Sequence, residues 1–168
     1  MAVTRGTSDV EFGDIAEDGG VATVWETVGA VYADETASLT QADPTTKDFM
    51  SIQSDQPLDK DVTQGALTLN MSVMDMTPDK MVDYFGGAVT GSGDAKVWEA
   101  PLQAQTIEKS IRIVPKKGFY LTFVRVQISA KAAYNLQKDG LFTAQLLLSV
   151  LKPDKANTGP WKFGPKVA

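Results

Sequence analysis

Carboxylates are the side chains of this chain with the numbers and spacing to do chemistry. The 168 residues contain neither Cys nor His. Thiolate nucleophiles, disulfides, zinc thiolate sites and iron–sulfur clusters are therefore excluded. Imidazole, the usual general base near neutral pH and the commonest transition-metal ligand, is absent too. An enzyme of this composition would run on carboxylates, Lys or Tyr. Glu99 and Glu108 fall near the ends of predicted strands, and Trp98 stands beside Glu99 as a sugar platform. Paired carboxylates suit glycoside hydrolysis, but the aromatics do not gather around paired acids. Asp14, Glu17 and Asp18 form one acidic cluster and Asp55, Asp59 and Asp61 another. Oxygen ligands at such spacing suit calcium, yet neither cluster has the EF-hand pattern, and solvated loop charge is the ordinary reading. Gly86-Gly87, with Gly91 and Gly93 beyond, matches neither the P-loop nor the dinucleotide fingerprint, so turn and helix-stop roles are expected. Asn70-Met71-Ser72 fits a glycosylation triplet but lies inside a predicted strand. Neither a catalytic residue nor a cofactor or metal site is expected, and function is sought in assembly.

Charge points the same way. Residues 1–105 carry 5 Lys/Arg against 18 Asp/Glu, a balance of −13, and residues 106–168 carry 11 against 3, a balance of +8. Two readings stay open. Either strands from the two halves interleave and neutralise each other within one molecule, or one copy offers complementary surfaces to the next. Lys109, Arg112, Lys116, Lys117, Arg125 and Lys131 form a basic set around one predicted hairpin. Such a set suits phosphate contacts, but the whole chain is acidic, with a pI near 4.7, and base-stacking aromatics are not interleaved with it.

These residues need elements to hold them, and the pattern is mostly β. Hydrophobic residues make up 43% and charged residues 22%, an ordinary globular balance for one domain with a substantial core. No apolar run approaches the roughly 18 residues of a membrane span. The first residues lack a signal peptide's apolar core, so folding in a cytoplasm without membrane binding is expected.

Residues 1–29 are acidic and Gly-rich and read as an N-terminal arm. Apolar alternation over 31–41 predicts a strand with one wet side. Residues 42–61 lose all periodicity and read as a long inter-strand loop whose embedded Phe49, Met50, Ile52 and Leu58 await a surface. In Val62–Met74, Leu67, Leu69, Met71 and Val73 alternate against Ala66, Thr68, Asn70 and Ser72, the clearest strand. Thr77-Pro78 starts and Gly86-Gly87 stops a short helix over about 78–85, with Met81, Val82 and Phe85 on one face. Met71, Met74, Met76 and Met81 fill core gaps, or line an adaptable interface. Ala88–Thr90 and Lys96–Glu99 predict a hairpin, and Thr106–Val114 a strand, followed by a turn at Pro115–Gly118. In the long strand from Phe119 to Lys131 the apolar face moves from odd positions to even ones, which predicts a bulge or a strand passing between two sheets. Leu141–Leu151 is the last predicted strand. Residues 152–168 carry three prolines around Trp161 and Phe163 and read as an extended C-terminal arm. The expected fold is an antiparallel β sandwich or barrel with one short flanking helix.

The layout resembles the major tail tube protein of long-tailed bacteriophages. The resemblance lies in Leu67-Thr68-Leu69-Asn70-Met71-Ser72-Val73-Met74-Asp75 running into Pro78-Asp79-Lys80-Met81-Val82-Asp83-Tyr84-Phe85-Gly86-Gly87, in Trp98-Glu99-Ala100-Pro101, and in the basic Ile111-Arg112-Ile113-Val114-Pro115-Lys116-Lys117-Gly118. It implies a β sandwich with a flanking helix that forms six-fold rings, stacked into a hollow virion tube that conducts DNA without binding it specifically and meets other tail proteins. It also implies ring-to-ring contacts through a long early loop and the terminal arms. On that basis Phe49, Met50, Ile52, Leu58, Arg112, Lys116, Lys117, Trp161 and Phe163 are the expected inter-subunit residues. Tubes of contractile tails and secretion machines, and a carbohydrate-binding β domain built around Trp25 or Trp98, are the alternatives.

Overall fold

The computed structural model describes residues 3–33, 35 and 37–165. The chain is mainly β, with antiparallel sheets and one short helix. Strands β1 (Arg5–Gly13), β2 (Glu26–Thr27), β3 (Ser38–Gln41), β6 (Leu67–Val73), β9 (Ile107–Lys117), β10 (Tyr120–Tyr134), β11 (Phe142–Val150) and β12 (Trp161–Gly164) form one eight-stranded sheet. Its order is β2-β1-β9-β10-β11-β6-β3, with β12 added to β10. Strands β4 (Thr45–Met50) and β5 (Pro57–Thr63) form a separate hairpin, as do β7 (Ala88–Thr90) and β8 (Val97–Glu99).

The sheet is not a closed barrel, yet it wraps around its own apolar face. One core cluster takes Val10 and Phe12 from β1, Ile111 from β9, Phe123, Val126 and Ile128 from β10, Leu146 and Leu148 from β11, and Leu69, Met71 and Val73 from β6. Residues from both ends of the strand path meet there, which requires a strongly curved sheet. Residues 28–32 step across the gap between those ends. The Val28 amide donates to the Val10 carbonyl (2.8 Å), and the Tyr32 amide to that of Ser72 (2.8 Å).

The curvature has a local cause in β10. Phe123 pairs with Ile111 and Val126 with Lys109, so β10 carries one extra residue over that span. The bulge switches the inward face from Phe123 to Val126, and Val124 between them is also fully buried. It also lets β10 serve two neighbours on one side, β12 over Tyr120–Phe123 and β11 over Val126–Tyr134.

Helix α1 (Pro78–Phe85) spans the predicted residues. Pro78 opens it, and Gly86, at φ +74°, closes it as its amide donates to the Val82 carbonyl (2.9 Å). Thr77 sits at the N-cap position but makes no side-chain capping bond. Met81 and Tyr84 are buried, and the Tyr84 hydroxyl donates to the Val28 carbonyl.

Several expectations are corrected. The N-terminal arm is, over Arg5–Gly13, a sheet strand paired with β9, and it carries core residues. Of the strand expected over 31–41, Ser38–Gln41 forms β3 and Val31 an isolated bridge to Val73, while residues 34 and 36 lie outside the described residues. The loop at 42–61 is the β4–β5 hairpin. Pro115, Lys116 and Lys117 belong to β9, because Thr7 pairs with Pro115 and Arg5 with Lys117. The C-terminal arm contains β12, since Pro160 and Pro165 flank the strand without interrupting its hydrogen bonds to β10. The last three residues of the expected C-terminal arm and the first two of the N-terminal one lie outside the described residues.

The chain reverses after β9 at Gly118, whose φ is +114°. A Cβ there would lie 2.4 Å from Thr4 Oγ1 and 2.6 Å from Thr4 Cα. Strain and clash act together, so Gly118→Ala is expected to cost at least about 1 kcal/mol, read as a lower urea midpoint. An unchanged midpoint would mean that Thr4, which accepts the Phe119 amide (3.1 Å), is not held against this turn.

Candidate functional site

Of the carboxylates weighed for chemistry, Glu108, Asp14 and Asp18 are paired with cations. Glu108 accepts two hydrogen bonds from Arg125, at 2.7 and 3.1 Å, and Arg125 also reaches Asp154 at 2.6 Å. The Glu108 hydrogen bonds, with the charges of Glu108 and Asp154, raise the Arg125 pKa further above its already high value. Lys109 bridges Asp83 (2.9 Å) and Asp14 (3.1 Å). Burial alone would lower the Lys109 pKa, but the two carboxylates outweigh it and the net shift is upward. Asp18 is held below the usual carboxylate range by the Lys155 ammonium and the Gly20 amide. Among the described residues no three acidic side chains converge to hold a metal ion. A cleft of about 770 Å³ lined by Asp14, Glu17, Lys80, Asp83 and Lys109 thus has a largely self-neutralised wall.

The two tryptophans weighed as sugar platforms are engaged elsewhere. Trp98 packs on Phe85 (5.9 Å between centroids) and donates its indole N–H to the Gly86 carbonyl (2.8 Å). Trp25 lies under the Arg112 guanidinium at 4.5 Å. Arg112 is also bonded to Glu11 (2.5 Å) and stands 5.9 Å from the Tyr120 ring. Of the expected contact residues, Arg112 is therefore satisfied inside its own chain. The charge asymmetry is in part neutralised within one molecule, since Lys109, Arg112 and Lys155 all pair with acids of the N-terminal half.

The other expected contact residues lie on two exposed surfaces. The first is the β4–β5 hairpin, every strand residue of which is exposed. Its strands make their extended contacts only with each other. Phe49, Met50, Ile52 and Leu58 all lie on it in the open, Ile52 completely so, and Val62 joins them. The hairpin is held by cross-strand pairs, Thr45 with Thr63, Lys47 with Asp61 and Asp48 with Lys60, the last a 3.6 Å ion pair. Asp55, Asp59 and Asp61 have no ion-pair partner among the described residues.

The second is the corner where β9 ends. Lys116 and Lys117 are exposed, and Arg5 stands directly opposite Lys117. Phe119, in the turn, packs edge-on against Phe163 (5.5 Å between centroids). Trp161, two residues away along β12, shares that face of the strand, and Trp161 and Phe163 are 44% and 53% exposed. Arg5 and Phe119 escaped the sequence reading, because only the pairing of β1 with β9 brings Arg5 here.

Sheet edges add a further surface the sequence did not reveal. Pairing of β9 with β10 stops at Ile128, so Ser129–Tyr134 has β11 on one side and an open edge on the other. Tyr134 and Phe142 pack edge-on at its tip (5.5 Å between centroids), with Leu136 and Leu141 exposed beside them. The outer edge of β3 ends the sheet on the other side. No protein-family model and no curated protein matches this sequence.

Proposed function

We propose that this chain is a structural subunit that self-assembles into stacked rings forming a phage tail tube, a conduit for DNA. The observation that carries this reading is the β4–β5 hairpin, which projects Phe49, Met50, Ile52, Leu58 and Val62 into solvent with no body of its own to cover them. Exposed apolar side chains on an ordered element mark a surface that another molecule buries. The open edges of β3 and of β10 beyond Ile128 support it further, because an unpaired edge is a template for a strand of a second copy. Copies joined edge to edge close a larger barrel and leave no edge free. An overall charge of −5 suits a wall along which DNA slides without sticking. A tube of a contractile tail or a secretion machine rests on the same features.

Negative-stain microscopy of the purified protein at high concentration tests the reading. Rings or tubes are expected, with fewer of them as salt is raised, since screening weakens charge pairing between exposed groups. A preparation that stays monomeric up to millimolar strength in sedimentation would overturn it.

A further inference from the structure

We propose that the Asp139-Gly140 step, in the turn between β10 and β11, is a site of spontaneous covalent modification at which aspartate converts to isoaspartate. The site does not depend on whether copies assemble. The chemistry belongs to aspartate followed by glycine. The glycine backbone nitrogen, on losing its proton to water, attacks the Cγ carbon of the preceding carboxyl. An N–Cγ bond forms, a Cγ–O bond breaks and water leaves, which closes a five-membered succinimide. Water then adds to one of the two ring carbonyls. Opening on the Cα side leaves the main chain running through Cβ, which is isoaspartate, with no change of mass. Glycine allows the ring to close because it has no Cβ to crowd it and a wide choice of backbone angles.

Two such steps occur in the chain, Asp18-Gly19 and Asp139-Gly140, both in turns. The glycine amides do not separate them. Gly19 donates to the Ala16 carbonyl (2.8 Å) and Gly140 to that of Gln137 (3.0 Å). The carboxylates do separate them. Asp18 accepts the Gly20 amide on Oδ1 (2.9 Å) and the Lys155 ammonium on Oδ2, so its Cγ must be freed from both before Gly19 can reach it. The same bonds hold Asp18 ionised, the form that gives up an oxygen least readily. Gly19 also lies against a second loop, where a Cβ on it would stand 2.8 Å from Asp154 Cβ and 2.9 Å from the Lys155 nitrogen. Asp139, by contrast, is exposed, and among the described residues neither a hydrogen bond nor an ion pair reaches its carboxylate. The close neighbours of Gly140 are Asn135 and Gln137, in its own turn. Such a turn opens locally, because no other segment has to move with it. The product bears on the hairpin. It adds a methylene to the main chain of the turn that sets the register of β10 against β11, whose last pair is Tyr134 with Phe142.

Ageing the folded full chain at neutral pH in water enriched in oxygen-18 tests the assignment, because opening of the succinimide leaves one solvent oxygen in the residue. Peptide mapping by mass spectrometry then reads label at each step, and methyl transfer by an isoaspartyl methyltransferase counts the product. Label at Asp139 should exceed that at Asp18 by about tenfold or more, the worth of the charge-assisted bonds that hold Asp18. A sample aged in urea should label both steps alike, and Asp139→Glu, whose ring would be six-membered, should remove most methyl acceptance from the folded protein. An Asp139 that stays unlabelled in the folded chain, or labels no faster than Asp18, overturns the proposal. So does methyl acceptance that survives Asp139→Glu undiminished.

Discussion

Excising the β4–β5 hairpin should abolish self-association and leave the monomer's stability within about 0.5 kcal/mol of the full chain. The hairpin contributes nothing to the core, since each of its strand residues is exposed and none belongs to the core cluster. Its base is held independently, because the Ala42 amide donates to the Ala66 carbonyl (2.9 Å). A short turn in place of 45–63 therefore joins two ends that are already adjacent, and a shorter loop changes closure entropy only slightly. Association is another matter. Phe49, Met50, Ile52 and Leu58 would each gain about 1.5–3 kcal/mol on full burial, so losing the four together removes more than most interfaces can spare. Urea unfolding and sedimentation of the same preparation separate the two effects. Tubes or rings of normal size from the excised chain would remove the hairpin from the interface. A collapse of the urea midpoint would show that it supports the fold.

The parts of the molecule that were legible in the sequence are those with one buried face. In β6 the buried Leu69, Met71 and Val73 alternate in residue type with polar Asn70 and Ser72, and helix α1 carries its Pro start and Gly stop. The parity switch between Phe123 and Val124 fits either a bulge or a strand that changes sheets, and the register with β9 shows the bulge. The β4–β5 hairpin was illegible for the opposite reason. Apolar periodicity records burial, and a hairpin with both faces in water has no reason to acquire it. Its strand character lies in cross-strand polar pairs such as Asp48 with Lys60, which become visible only when the register is known. β1 was hidden because the strand's inward residues amount to little more than Val10 and Phe12, set among acids and glycines. Those acids belong to partners far along the chain, as Glu11 does to Arg112. β12 was hidden by its flanking prolines, which end a strand as readily as they forbid one. Of the residues expected at contacts from their type, Phe49, Ile52, Lys116, Lys117 and Phe163 are exposed. Arg112 differs from them, because its charge is taken up by Glu11 and its guanidinium lies over Trp25.

A pair of phenylalanines in neighbouring strands separates folding from assembly most sharply. Phe123 in β10 is fully buried, and it pairs with Ile111, also fully buried, across the sheet. Phe163 in β12 pairs with Leu121, two residues before Phe123 on the same strand, yet it is 53% exposed. Phe123→Ala removes a ring from the centre of the core beside the bulge, where close-packed neighbours relax only partly, so a loss of about 3–5 kcal/mol is expected. That is a large share of the roughly 5–15 kcal/mol that holds such a domain together. Phe163→Ala loses only the buried half of its ring and its edge contact with Phe119, so it should cost the monomer about 1 kcal/mol or less. The order reverses for self-association measured under conditions where both variants are folded. There Phe163→Ala should raise the required concentration, while Phe123→Ala, with its surface unchanged, should not. Equal losses of monomer stability would place β12 inside the core. Association indifferent to Phe163→Ala would take Phe163 out of the contact, because a half-bare ring on a sheet edge gains most when another surface covers it.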